Sequence, residues 1–201
     1  MTTILGTSTN QESTGAATLL SAAGLNNFLV WTGTSPNTNW INFATAPVGT
    51  YTFPEAPNKS YSSSHGPAFV LLPTNSQGYV FWTDSATSQI MFAQASGTAD
   101  GVWSLASTAT TITGSKASGG PAAALGMQNG QVVINIIWQD SGLGSMALSQ
   151  FNVFGTQTEY PFTSLGQSCV DAPALQVVGN MTFLAWFDTS NNCNCPGTPT
   201  H

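Results

Sequence analysis

A Gly-Pro-Ala step, an apolar run and then a Trp-x-Asp step recur down this chain, and nothing else in it restricts the fold as much. The second copy reads Gly66-Pro67-Ala68-Phe69-Val70-Leu71-Leu72 and then Tyr79-Val80-Phe81-Trp82-Thr83-Asp84. The third reads Gly120-Pro121-Ala122-Ala123-Ala124-Leu125 and then Asn135-Ile136-Ile137-Trp138-Gln139-Asp140. The fourth reads Ala172-Pro173-Ala174-Leu175-Gln176-Val177 and Phe183-Leu184-Ala185-Trp186-Phe187-Asp188. A weaker first copy reads Gly15-Ala16-Ala17-Thr18-Leu19-Leu20 and Phe28-Leu29-Val30-Trp31-Thr32-Gly33. The tryptophans stand 51, 56 and 48 residues apart, and Ala17, Ala68, Ala122 and Ala174 stand 51, 54 and 52 apart. Units of this length made of short β-prone runs each match one four-stranded sheet. The spacing therefore predicts a single all-β domain, a four-bladed β-propeller.

Val, Ile, Phe, Trp, Tyr and Thr fill the runs, and Gly, Pro, Asn and Ser separate them. Four runs are expected in the first three units: 17–22, 28–32, 40–44 and 50–53, then 68–72, 78–83, 89–94 and 102–106, then 122–127, 132–138, 145–151 and 159–163. The fourth has 174–178, 181–187 and a degenerate third run near 192–196. Unit boundaries fall near 16–65, 66–119, 120–170 and 171–201. The fourth unit lacks a last run, and an orphan run precedes the first. The expectation is that an N-terminal strand at 2–8 completes the last blade and leaves no open edge. The alternative is a larger ring made by two chains, a homo-oligomer.

Only 5% of the residues are charged, with no Arg and with Lys59 and Lys116 as the only Lys, and the formal charge is -6. A nucleic-acid binder needs a basic footprint, so that partner is excluded. No apolar run is long enough to span a membrane as a helix. Residues 1–6 show no basic, then apolar, secretory pattern, although a function outside the cell or at its surface is favoured. Three cysteines, Cys169, Cys193 and Cys195, are an odd set. One bridge from Cys169 to either of the others would leave a spare thiol.

The Gly-Pro-Ala strand, the aromatic-Trp-Thr-Asp strand and the Ile-x-Phe-Ala strand together resemble the repeat of sialidase-like β-propellers. The turn Ser96-Gly97-Thr98-Ala99-Asp100-Gly101-Val102-Trp103 is similar to their Asp-box turn, two residues short between Asp and Trp. The resemblance implies the fold. It does not carry the sialidase activity, which grips a substrate carboxylate with three arginines that this chain lacks. The family includes glycan-binding propellers, so it implies a lectin-like, non-catalytic member with glycans as partners.

In a propeller the loops leading into each first strand share one face with the loops after each second strand. Glu12, Asp84, Asp140, Asp171 and Asp188 fall there, five of the eight acids. Carboxylates and hydroxyls suit sugar hydroxyls, and aromatic rings suit the apolar side of a sugar. The candidate ligand residues are Trp40, His65, Asp84, Asp140 and Asp188. Trp40 is included because it follows a polar loop. Each Asp has an alternative role, capping a turn through its own backbone. The repeated tryptophans are expected between blades as core. Asp84, Asp140, Asp171 and Asp188 are candidate Ca²⁺ ligands, since a hard cation seeks six to eight oxygens. Ser64 and His65 are read as neighbours on one strand, which would point them to opposite sides and argues against a catalytic pair. The remaining readings are a structural or self-assembling propeller and a degenerate glycosidase using paired carboxylates.

Overall fold

A computed structural model of the chain describes residues 17–21, 26–33, 39–48, 53, 57–74, 76–97, 103–153, 160–179 and 181–188. Among these residues the structure is all β, with no helix. It forms four antiparallel sheets whose strands follow chain order. The first sheet is β1 (Thr18–Ser21), β2 (Asn26–Thr32), β3 (Trp40–Pro47) and β4 (Pro57–Ser62). The second is β5 (Ala68–Leu71), β6 (Gln77–Thr83), β7 (Ile90–Gly97) and β8 (Trp103–Leu105), with β9 (Thr110–Thr111) also pairing with β7. The third is β10 (Ala122–Gln128), β11 (Gln131–Asp140), β12 (Ser145–Asn152) and β13 (Phe162–Ser164). The fourth is β14 (Ala174–Val178) with β15 (Met181–Ala185). Each sheet is thus one repeat of the sequence. The first strands of successive sheets lie side by side, β1 against β5, β5 against β10 and β10 against β14.

Strand alternation explains how the sheets stack. Successive side chains on a strand point to opposite faces, and β6 is apolar on both. Val80 and Trp82 pack with Phe28, Val30 and Phe43 of the first sheet. Phe81 packs the other way, against Ile134, Ile136 and Trp138 of the third, with Tyr79 beside it. One step on, Ile137 and Met146 meet Leu175, Leu184 and Trp186 of the fourth sheet. Three cores thus lie between four sheets. Trp31, Trp82 and Trp138 are buried as core, and Trp186 is half-buried. Trp103 joins them, its ring edge-on to Phe28 with centroids 4.8 Å apart. The outward face of the fourth sheet leaves Val178, Met181, Phe183 and Phe187 exposed.

Two strands lie outside the expected runs. The last described strand of the first sheet is β4; of the expected run 50–53 only Phe53 is among the described residues, and it belongs to no strand. Tertiary contact decides this. Tyr61 of β4 lies on Trp82 at a centroid distance of 4.7 Å, and its hydroxyl donates to the Ala106 carbonyl at 2.8 Å. β4 joins β3 through a register shift between Trp40 and Asn42. In the second sheet β8 falls inside the expected run 102–106, and β9 is a further short strand outside the expected runs. The runs at 2–8 and 192–196, together with Glu12, Cys193 and Cys195, lie outside the described residues. Cys169 is a free, buried thiol.

Candidate functional site

One face of the stack is assembled by a hydrogen-bond scheme that repeats with the sequence. The segments entering the second, third and fourth sheets each fold back on the residues at the end of that sheet's second strand. Ser64 N–H donates to the Thr83 carbonyl (3.1 Å), Ser118 N–H to the Gln139 carbonyl (3.0 Å) and Val170 N–H to the Phe187 carbonyl (3.1 Å). The residue after each tryptophan then ties its sheet to the next. Thr32 Oγ1 donates to the His65 carbonyl at 2.8 Å, and Thr83 Oγ1 to the Gly119 carbonyl at 2.7 Å. Gln139 Oε1 accepts from Cys169 N–H at 2.8 Å. Gly120 sits where these segments converge: a Cβ on it would lie 2.8 Å from the Gly66 carbonyl oxygen and 3.4 Å from Ala172 Cβ. Only glycine fits that approach.

The turns after the second strands rise beside these segments. Each ends on a left-handed residue: Asn39 (φ 65°), Ser88 (φ 57°) and Gly144 (φ 65°). Asp84 and Asp140 start equivalent turns but use their carboxylates differently. Asp84 is half-buried, and its Oδ2 accepts from Thr87 N–H (2.9 Å) and Thr87 Oγ1 (2.7 Å). Asp140 is 1% exposed. Its Oδ1 accepts from Gly142 N–H (2.9 Å) and Leu143 N–H (3.0 Å). Its Oδ2 accepts from Lys116 N–H (2.8 Å) and the Trp138 indole N–H (2.9 Å). In the second sheet the Trp82 indole N–H is buried without a partner. Asp140, expected as a ligand and metal residue, is therefore an interior acceptor with both oxygens engaged.

Three expected ligand residues lie on the segment 62–65 or are paired with it along the backbone. Trp40, half-buried, pairs with Ser62 across β3 and β4, and Asn39 accepts from Ser63 N–H at 2.6 Å. On the other side Ser63 bridges to Asp84, and Ser62 Oγ meets Ser85 Oγ at 2.6 Å. Ser64 Oγ and His65 Nδ1 are 2.8 Å apart. The expectation that these two side chains diverge fails because the segment is a bend and not a strand. Trp40 and Asp84 thus flank the segment 62–65 through backbone pairing, with the Ser62, Ser64 and Ser85 hydroxyls beside it, while the His65 Cβ lies toward Gly120, where the entering segments converge. Asp171, exposed, accepts from Ala172 N–H at 2.7 Å, and Asp188 is half-buried at the same level of the fourth sheet. The acids are distributed one sheet at a time. Among the described residues no three His, Cys, Asp or Glu side chains group as a metal would require.

No family model matches this chain and no curated protein matches its sequence, so the sialidase-like resemblance stands on its repeat motifs alone. In structure the chain is similar to a fucose lectin from Kordia zhangzhouensis, solved in complex with methyl-fucoside. The TM-score is 0.50 at 10% identity, over 74% of this chain and 97% of that one. The likeness is one of fold.

Proposed function

We propose that this chain is a carbohydrate-binding β-propeller. In this reading each sheet is a blade, and glycans bind without being cleaved around the segment 62–65, which carries His65 and is flanked by Trp40 and Asp84. The observation that carries it is the segment 62–65, which is paired to Trp40 on one side and to Asp84 on the other and carries His65 and serine hydroxyls. Carboxylate and hydroxyl groups exchange hydrogen bonds with sugar hydroxyls, and an indole covers the C–H side of a pyranose. The fold likeness to a lectin solved with methyl-fucoside supports the same class of ligand. Asp188 offers a related position in the fourth sheet, and repeated weak sites would add through avidity on a dense glycan surface.

The test is a glycan array on the purified protein, with Ca²⁺ and with a chelator. Saturable binding to one sugar class, weakened by Trp40→Ala and by His65→Ala, is the expected result. Loss on chelation would bring a cation to the acidic rim. A blank array in both conditions refutes the reading. It would favour the second one, a self-assembling or protein-binding propeller, for which the exposed Val178, Met181, Phe183 and Phe187 speak. Mass rising with protein concentration would then be seen in sedimentation.

A further inference from the structure

We infer that a second saccharide site lies in the wedge between the third and fourth sheets, at the end remote from the loop face, and that primary amides build it; this rests on the glycan-binding reading above. The residue three before each repeated tryptophan is Phe28, Tyr79, Asn135 or Phe183. Phe28 and Tyr79 fill the spaces after their own sheets. In the third sheet the same position carries Asn135, 6% exposed, and its cross-strand neighbour is Gln150. Gln128 Nε2–H donates to Gln150 Oε1 at 3.5 Å, and Gln150 Nε2–H donates to Asn135 Oδ1 at 2.5 Å. Beside them Asn152 Nδ2–H donates to Gln131 Oε1 at 2.6 Å. Gly126 makes room: a Cβ there would collide with the Asn135 amide nitrogen.

The opposite wall is the inward face of the fourth sheet. Near the loop face, Leu175 and Leu184 of that wall close on Ile137, Met146 and Leu148. Farther along the same face lie Val177, half-buried, and Thr182, exposed, paired with each other across β14 and β15. Val177 and Thr182 thus stand outside the apolar contact between the two sheets, on the wall that faces the amides. An aromatic residue here would bury roughly 150–250 Å², so the amides forgo packing that the first two sheets use. Each primary amide has two N–H donors and a carbonyl, and the three bonds leave capacity on Gln128, Gln131 and Gln150. A donor beside an acceptor matches vicinal hydroxyls, each of which also donates and accepts. The absence of ionised groups from this set selects a neutral sugar, and Val177 offers an apolar contact for its C–H face.

Side-chain amide N–H signals of ¹⁵N-labelled protein report on this set directly. Methyl fucoside, methyl mannoside and methyl glucoside would each be titrated and the Asn and Gln side-chain peaks followed. The expected result is saturable shifts at Gln128, Gln131, Asn135, Gln150 and Asn152 with one of the sugars. Gln150→Leu should abolish them, and the exposed Gln128→Ala, which leaves the sheet intact, should weaken that sugar roughly fivefold, the equivalent of one hydrogen bond. Shifts confined to the surroundings of Trp40 and His65 would overturn this site and leave the first one standing. Silence with every sugar, together with a blank array, would overturn both.

Discussion

Replacing Asp140 by Ala should be among the most damaging single changes in the third sheet. Its carboxylate accepts four donors: the indole of Trp138, the backbone of Lys116, and the backbones of Gly142 and Leu143. The first two lie in or near the interior, and leaving each unpaired costs about 1–3 kcal/mol. The two turn donors sit at the surface end and can be rehydrated, so their loss costs about 1 kcal/mol, similar to losing a cap. The sum is roughly 3–7 kcal/mol, against a typical domain stability of about 5–15 kcal/mol. Asp84→Ala is the control. Its carboxylate serves only Thr87, at the surface, and its loss should cost about 1 kcal/mol or less. Asp140→Asn should fall between, because an amide that keeps the turn bonds turns its NH₂ toward two donors. Urea unfolding followed by tryptophan fluorescence measures all three. At a urea m-value of about 2 kcal/mol per molar, Asp140→Ala should lower the midpoint by roughly 1.5–3.5 M with m unchanged. Equal midpoints for Asp140→Ala and Asp84→Ala would refute the argument that burial and donor count, not the motif, set the role of each Asp.

Two further outcomes are expected. Gly78→Ala should destabilise the second sheet by about 1–3 kcal/mol, because its Cβ would lie 2.6 Å from both the Phe69 ring and the Val70 carbonyl oxygen; thermal melts check it. Cys169 is held neutral: burial pushes its thiol from 9.0 up to about 11, with the Asp171 charge adding and a backbone hydrogen bond opposing. Iodoacetamide should therefore modify it more slowly in the folded protein than in urea. The unfolded thiol ionises near 9 and the folded one near 11. Stability is thus retained below 9 and falls as the pH rises between those values, by up to about 1.4 kcal/mol per pH unit. Half-buried Tyr61, Tyr79 and Tyr160 shift in the same sense, raised by desolvation, so Cys169→Ala should reduce the alkaline slope without removing it.

The sheets were legible in the sequence because their central strands carry apolar residues on both faces, and a Trp marks the same register in each repeat. β14 falls on its expected residues, and β2, β6 and β12 within a residue or two of theirs. β4 was not legible, because the contacts that hold it come from Trp82 and Ala106, far along the chain. The division of labour between Asp84 and Asp140 was hidden too. Both stand two residues after a Trp, and the difference lies in the following turn, where the Thr87 hydroxyl takes the oxygen that Trp138 takes in the third sheet. The pairing of Ser64 with His65 depends on a bend that a strand reading misses. The amide wedge did leave a signal, an Asn where the other copies have an aromatic ring.

Two of the ties between successive sheets end on main-chain carbonyls, Thr32 on that of residue 65 and Thr83 on that of residue 119. A grip on the main chain is blind to the side chain it holds. At positions 65 and 119 the chain carries a histidine and a glycine. Mutation at these places is thereby uncoupled from assembly, so the surface chemistry of each unit can drift while its docking stays fixed. A scaffold joined in this way can explore new ligands one unit at a time.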